Sequence, residues 1–223
     1  MEIELSFTEE NYLKAIYHLS DGGKIEVSTN ALSDEMQTKP ATVSDMIRKL
    51  AKKKVISYEK YRGVNISEPG KKIALYIIRK HRLWEVFLVE KLSFSWDEVH
   101  EIAEQMEHIK SPTLVERLDD FLGNPTVDPH GDPIPDKEGN FMVGPTIKLS
   151  ELSQEERGVF VSVSDDDPRL LQYLDKVAFQ LGDKFTVTDK VDFDGSIKLV
   201  TDQSNEVFLS GHIAGLLSIR KIV

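Results

Sequence analysis

The feature that most constrains this chain is an ordered run of short elements in its first 75 residues. Thr8 offers a helix N-cap, with Glu9 and Glu10 in the first turn, where the helix dipole favours acids. Tyr12, Leu13, Ile16, Tyr17 and Leu19 then form an apolar stripe that stops at Asp21-Gly22-Gly23. A short helix follows around Ala31–Met36 and a turn at Gln37-Thr38-Lys39. Pro40 suits the first position of a third helix, where its missing N–H costs nothing. That helix runs to about Lys54 with Val43, Met46, Ile47 and Leu50 facing inward. Val55–Tyr58 and Val64–Ser67 read as two strands around a turn at Lys60–Gly63. Helix, turn, helix and β-hairpin in this order is the winged helix-turn-helix plan, whose second helix enters the major groove of duplex DNA.

Charge bears on that reading. The net charge of −10 is unusual for a nucleic-acid binder, but it conceals an asymmetry. From Lys39 to Lys72 ten basic residues face three acidic ones, a local +7 that leaves −17 for the remainder. Such an island attracts phosphates locally while the acidic remainder limits indiscriminate binding. On charge alone, a solvated Lys-rich helix fits as well. The exposed face of the third helix offers Pro40, Ala41, Thr42, Ser44 and Asp45, with Thr38 in the turn before it, small groups suited to base edges and thymine methyls. Arg48, Lys49, Lys60 and Arg62 are placed to contact phosphates, which position but do not specify.

The middle, from about Lys71 to Leu122, reads as helical. A connector with Pro125, Pro129, Pro133 and Pro135 follows, from Gly123 to Gly144. Beyond it, Val159–Val163, Phe185–Thr188, Ile197–Val200 and Val207–Leu209 read as short strands, with one helix near Pro168–Leu174. Turn-joined strands of this kind predict a small β-barrel. The fold class is therefore mainly α with β. Its domains are expected at 1–72 (winged helix), 73–144 (helical, with the connector) and 145–223 (small β-barrel).

The chain has no cysteine, which removes disulfides, thiolate ligands and thiol nucleophiles and fits a reducing cytosol. No apolar run approaches the roughly 20 residues that span a bilayer, so no membrane role is expected. Met1–Phe7 lacks the basic-then-apolar pattern of a secretion signal. What remains for chemistry is histidine and carboxylate. His81 and Glu85 are four apart and share a helix face. His100, Glu104, Glu107 and His108 fall within roughly a 100° arc of one helix, beside Val99, Ile102, Ala103, Met106 and Ile109. Nitrogen and oxygen donors without sulfur favour harder or borderline divalent ions such as Mn²⁺, Fe²⁺, Co²⁺ and Zn²⁺. A solvated polar face with incidental histidines fits the same pattern. So does a metal-dependent hydrolase, but His100-Glu101-Ile102-Ala103-Glu104 lacks the second histidine of the zinc-protease motif. A winged-helix regulator that senses a small organic ligand is the other alternative.

Three stretches, with a fourth, resemble the diphtheria-toxin-repressor family of metal-dependent regulators, especially its manganese-responsive branch. They are Thr8-Glu9-Glu10-Asn11-Tyr12-Leu13-Lys14-Ala15-Ile16-Tyr17, Arg79-Lys80-His81-Arg82-Leu83-Trp84-Glu85 and Val99-His100-Glu101-Ile102-Ala103-Glu104-Gln105-Met106-Glu107-His108, with Asp128-Pro129-His130-Gly131 downstream. The resemblance implies a winged helix, a helical dimerisation and metal-binding domain, and an SH3-like C-terminal domain. It implies a homodimeric repressor that binds a palindromic DNA operator when metal is bound and controls metal uptake. Its regulatory ligands would be Asn11, His81, Glu104, Glu107 and His108. Glu104 stands where the iron branch has cysteine, which favours Mn²⁺ over Fe²⁺, with Co²⁺ or Zn²⁺ as substitutes in vitro. Asn11 stands where manganese members have aspartate and iron members methionine, so it brings an oxygen but no charge. A second site would use Glu85, Asp128, His130 and Asp165, with Asp166 beside it. Iron-branch members recruit His81, Glu85 and His100 together, so His100 would serve either site or structure. His18 and His212 match no motif and are read as structural.

Overall fold

The computed structural model describes residues 3–59, 63–142, 144–165 and 167–222. Lys60, Arg62 and Asp166 lie outside the described residues. Two compact units emerge, and neither is continuous in sequence. One gathers Met1–His81, Gln105–Pro112 and Pro135–Phe141; the other gathers Arg82–Glu104, Thr113–Ile134 and Met142–Val223.

In the first unit, α1 (Phe7–Leu19), α2 (Thr29–Glu35) and α3 (Pro40–Lys52) precede the hairpin β1 (Ile56–Glu59) and β2 (Gly63–Ile66). The N-cap of α1 is Ser6 rather than Thr8. Ser6 Oγ accepts from the Glu9 N–H, and Glu9 Oε2 accepts from the Ser6 N–H at 2.7 Å, a reciprocal capping box. Two orphan donors are satisfied by Ser6-x-x-Glu9, whereas a Thr8 cap would satisfy one. The α3 helix begins at Pro40 as its sequence predicts and buries Val43, Ile47 and Leu50, with Met46 half-buried. Each fully buried aliphatic contributes about 1.5–3 kcal/mol, so this one face holds the helix on the core of Leu13, Ile16, Leu32 and Val64. The hairpin pairs Ile56 with Ile66 and Glu59 with Gly63, and Val27 bridges to Val64 as a further edge.

Helix α4 (Glu68–Leu92) contributes to both units, the division falling between His81 and Arg82. The helices α5 (His100–Met106) and α6 (Pro112–Phe121) follow. The sequence places Glu107 and His108 on the α5 helix, but α5 ends at Met106 and both residues lie in the turn beyond it. The arc of four is thereby broken: His100 and Glu104 stay with the second unit, while Glu107 and His108 join the first.

The rest of the second unit is a six-stranded antiparallel sheet ordered β3 (Ile147–Lys148), β8 (Leu217–Ile222), β4 (Arg157–Val163), β5 (Lys184–Lys190), β6 (Ile197–Thr201), β7 (Glu206–Leu209). It packs with α7 (Pro168–Lys176) and α8 (Gly211–Leu216) around Phe160, Phe179 and Phe185. The sequence reading lacks β3, α8 and β8. From Ile213 onward only Gly215 interrupts the apolar run, and no turn separates helix from strand, so its period is ambiguous. Gly131 decides how the connector meets this sheet. Its φ is +83°, and a Cβ there would sit 1.8 Å from the Val161 carbonyl oxygen. Only glycine fits. The backbone N–H of Val163 in turn donates to the His130 carbonyl at 3.0 Å, which pins the Asp128–Asp132 turn to β4.

Candidate metal centres and nucleic-acid interface

In the first unit, α1 presents Glu10 and Lys14 to the turn that carries Glu107 and His108, with Asn11 next to Glu10 in the same helix. Glu107 is fully buried. Lys14 Nζ donates to its two oxygens at 2.7 and 2.8 Å, and His81 Nδ1 lies 2.7 Å from Oε2. Burial alone would raise this carboxyl, but the His81 hydrogen bond and the Lys14 and His81 charges outweigh it and hold its pKa below the usual range. His108 is also buried, stacked on Phe7 with ring centroids 4.7 Å apart. Its Nδ1 lies 2.6 Å from Glu10 Oε2, which leaves Nε2, 4.0 Å from Glu107 Oε1, as the nitrogen facing the centre. Asn11 Oδ1 is buried and has no hydrogen-bond partner among the described residues. A buried acceptor left in this state costs free energy unless something donates to it or coordinates it. Lys80, buried nearby, has its pKa lowered by burial against the opposing fields of Glu10 and Glu107. Lys110 Nζ donates to the Leu5 carbonyl at 2.9 Å and ties the Glu107–His108 turn to the start of the chain.

Glu10 and Lys14 were missed at the level of sequence as members of this centre. Their signal was present: with Asn11 they lie at i, i+1 and i+4, on one flank of α1. What sequence could not supply was the partner 93 or more residues away.

The second unit holds a different cluster. Glu85 on α4 meets Asp128 and His130 of the connector, with one ligand atom of each inside 4.8 Å of the others, and all three are buried. Glu85 Oε1 is 3.7 Å from His130 Nδ1 and 3.7 Å from His100 Nδ1. His130 Nε2 lies 2.7 Å from the Trp96 carbonyl oxygen, which orients the ring with Nδ1 inward. Arg82 reaches Asp128 at 3.3 Å and Asp132 at 3.2 Å and also donates to the Pro133 carbonyl. Burial and the charges of Glu85 and Asp132 push the Asp128 carboxyl up to about 7, against the pull of Arg82. His130 is raised to about 9: burial lowers it, but the Glu85 and Asp128 carboxylates overcome that.

The remaining expected ligands fall outside these clusters. Asp165 is half-buried and accepts from the Asp167 N–H at 2.9 Å, a turn that leads into α7. It is not brought into the Glu85–Asp128–His130 group. Glu104 is half-buried on α5, 3.7 Å from His100.

On α3, Pro40, Ala41, Thr42, Asp45, Arg48 and Lys49 are exposed, with Ser44 and Thr38 half-buried. Ser44 Oγ donates back to the Pro40 carbonyl at 2.9 Å, and Arg48 pairs with Asp45 at 2.9 Å. The turn before α3 is pinned by buried Ser33, whose hydroxyl donates to the Thr38 carbonyl at 2.5 Å. No helix among the described residues is long and apolar enough to cross a membrane.

Residues 4–64 match the model of the iron dependent repressor N-terminal DNA binding domain, and residues 67–136 match the iron dependent repressor metal binding and dimerisation domain. The chain belongs to the iron-dependent repressor family. Residues 147–221 match the FeoA domain, the SH3-like part of the fold. The iron-dependent repressor IdeR of Mycobacterium tuberculosis is 33% identical over 132 residues, 59% of this chain and 57% of that protein. The match thus spans little more than half the length of that relative. The HTH-type transcriptional regulator MntR of Oceanobacillus iheyensis is 31% identical over 113 residues, 51% of this chain and 76% of its own. A solved structure described as a manganese-dependent transcriptional repressor in complex with manganese superimposes with a TM-score of 0.88, at 33% identity over 96% of this chain and 100% of that one. The structure of ScaR with bound Cd²⁺ gives 0.80, also at 33% identity, over 96% and 99%. The iron-dependent repressor family is one of DNA-binding transcriptional repressors, not enzymes.

Proposed function

We propose that this protein is a metal-dependent transcriptional repressor that binds DNA as a homodimer when a divalent ion occupies the centre formed around Glu107 and His108. One observation carries the reading: the buried, unpartnered Asn11 oxygen on α1 belongs to the same compact unit as Glu107 and His108, which arrive from beyond α5. The proposed ligands are Asn11, His81, Glu107 and His108. Glu104, assigned to the same set by resemblance, belongs to the other compact unit and pairs there with His100. The donor set is oxygen and imidazole nitrogen with no thiolate, which suits Mn²⁺ first and Fe²⁺ second, with Co²⁺ and Zn²⁺ as substitutes. Bound there, the ion supplies a positive charge that ties α1 to the Glu107–His108 turn. Glu10 holds the His108 ring, and Lys110 holds the turn. Glu85, Asp128 and His130 form a proposed second site, with His100 at its edge.

In this reading Pro40, Ala41, Thr42, Ser44, Asp45 and Thr38 face base edges, and Arg48 and Lys49 face phosphates. A dimer would set two α3 helices about 34–36 Å apart, one turn of DNA, on a palindromic operator near metal-uptake genes in the cytosol. The coupling needed is modest, about 1–3 kcal/mol, provided the ion binds the DNA-competent state better than the other. Fluorescence anisotropy with a palindromic operator, in chelator or in each ion separately, tests it. Binding only with metal is the expected result. Equal binding in chelator would leave a DNA-binding protein of another kind, such as a sensor of a small organic ligand.

A further inference from the structure

We propose that Lys14 is the resident cation of the regulatory centre: it neutralises Glu107 in the metal-free protein, withdraws when a divalent ion takes that carboxylate, and thereby sets the metal concentration at which the protein responds. The proposal rests on the reading of Glu107 as a metal ligand.

Lys14 Nζ does not graze Glu107; it spans both carboxylate oxygens, at 2.7 and 2.8 Å, with His81 on one of them. Any ion that uses Glu107 must therefore compete for oxygens already in charge-assisted hydrogen bonds. The carboxylates of the centre are also answered by cations without a metal. Glu10 and Glu107 are offset by Lys14 and Lys80, all four of them buried or nearly so, with Lys110 a further cation near Lys80. Adding a divalent ion with Lys14 still in place would crowd three cationic groups around two carboxylates where water screens poorly. The remedy is built into the side chain. Lys14 retains 14% side-chain exposure, while Glu107 has none, so the lysine is at the rim and the carboxylate is at the floor. A four-carbon stem lets the ammonium retreat to water, and a lysine point charge leaves a carboxylate more readily than a bidentate guanidinium. A buried carboxylate with no counter-charge is costly, so the metal-free protein needs such an occupant to keep the centre formed.

The test uses the full chain in a His130→Ala background, so that the second centre does not contribute. Mn²⁺ affinity is measured by calorimetry for the parent, Lys14→Met and Lys14→Arg. Loss of a competing charge-assisted pair is expected to tighten Mn²⁺ roughly tenfold or more in Lys14→Met, with Lys14→Arg no tighter than the parent. In parallel, reductive methylation of the parent is followed by mass spectrometry at Lys14 and at exposed Lys24. Labelling of Lys14 is expected to rise with Mn²⁺ along the calorimetric isotherm while Lys24 stays constant. Unchanged or weaker affinity in folded Lys14→Met, or Lys14 protection unaltered at saturating Mn²⁺, would overturn the proposal. Should Lys14→Met fail to fold, the labelling result decides alone. A His108→Ala control separates the two readings: if it binds Mn²⁺ as the parent does, the regulatory-centre assignment fails, whatever Lys14 does.

Discussion

The two histidine–carboxylate centres use the same residue types in opposite electrostatic states. Around Glu107 the chain supplies its own cations, and the carboxyl is held below its ordinary range. Around Asp128 three acids crowd together, Glu85, Asp128 and Asp132, answered by Arg82, His130 and Lys148, and burial with the Glu85 charge pushes the Asp128 carboxyl up to about 7. The first centre answers its carboxylates without an ion, with the Asn11 oxygen alone left open, and must surrender a contact to accept one. The second is overloaded with acids, which with burial drives Asp128 toward its protonated form, and a bound cation would relieve that. The difference teaches that ligand identity alone does not set responsiveness; the cations already present do. A balanced centre suits a switch with a threshold, and an overloaded one suits a support that stays filled.

The largest expected effect would break this comparison if it were absent. His108→Ala should weaken Mn²⁺-dependent operator binding at least a hundredfold, about 2.7 kcal/mol, whereas His130→Ala should change it less than tenfold and keep the metal dependence. Anisotropy titrations on both variants decide; equal losses would mean that neither centre is the switch. Next in size is the response of the metal-free protein to losing its internal cation. Arg82→Gln leaves the second centre's acids without their main counter-charge and should lower unfolding stability by about 2 kcal/mol in denaturant titration. Mn²⁺ should restore most of that loss. Lys14→Gln should cost about half as much, because His81 still meets Glu107 and Lys80 remains close. A larger loss in Lys14→Gln than in Arg82→Gln would reverse the assignment of balanced and overloaded centres. The smallest effect sharpens it. Asn11→Asp adds one negative charge to the proposed ligand set and should tighten Mn²⁺ at that centre by a few-fold, less than about 1.4 kcal/mol, as read by calorimetry in the His130→Ala background.

Much of this was legible before any coordinates. Pro40 announced the start of α3, and the spacing of Val43, Ile47 and Leu50 announced its buried face. Ser6-x-x-Glu9 also carried a cap signal, overlooked because Thr8 lies nearer the apolar stripe. The ligand types were equally visible: with no cysteine in the chain, no thiolate donor was left, and histidine and carboxylate filled the motifs. The grouping of those donors was less so. His100, Glu104, Glu107 and His108 look like one helical face, yet the helix stops at Met106 and the four separate between two units. Asp165 reads as a ligand by family resemblance alone, and its carboxylate accepts from the Asp167 N–H in the turn into α7.

Sequence by itself determined most of the elements and the absence of thiolate ligands, because these depend on local period, capping chemistry and composition, and its motifs carried the family resemblance. Tertiary structure alone decided which charge answers which. Lys14 and Glu107 are 93 positions apart, and Arg82 and Asp132 are 50 apart. No periodicity spans such distances. Only the packed chain, where burial makes an unanswered charge expensive, selects the partner.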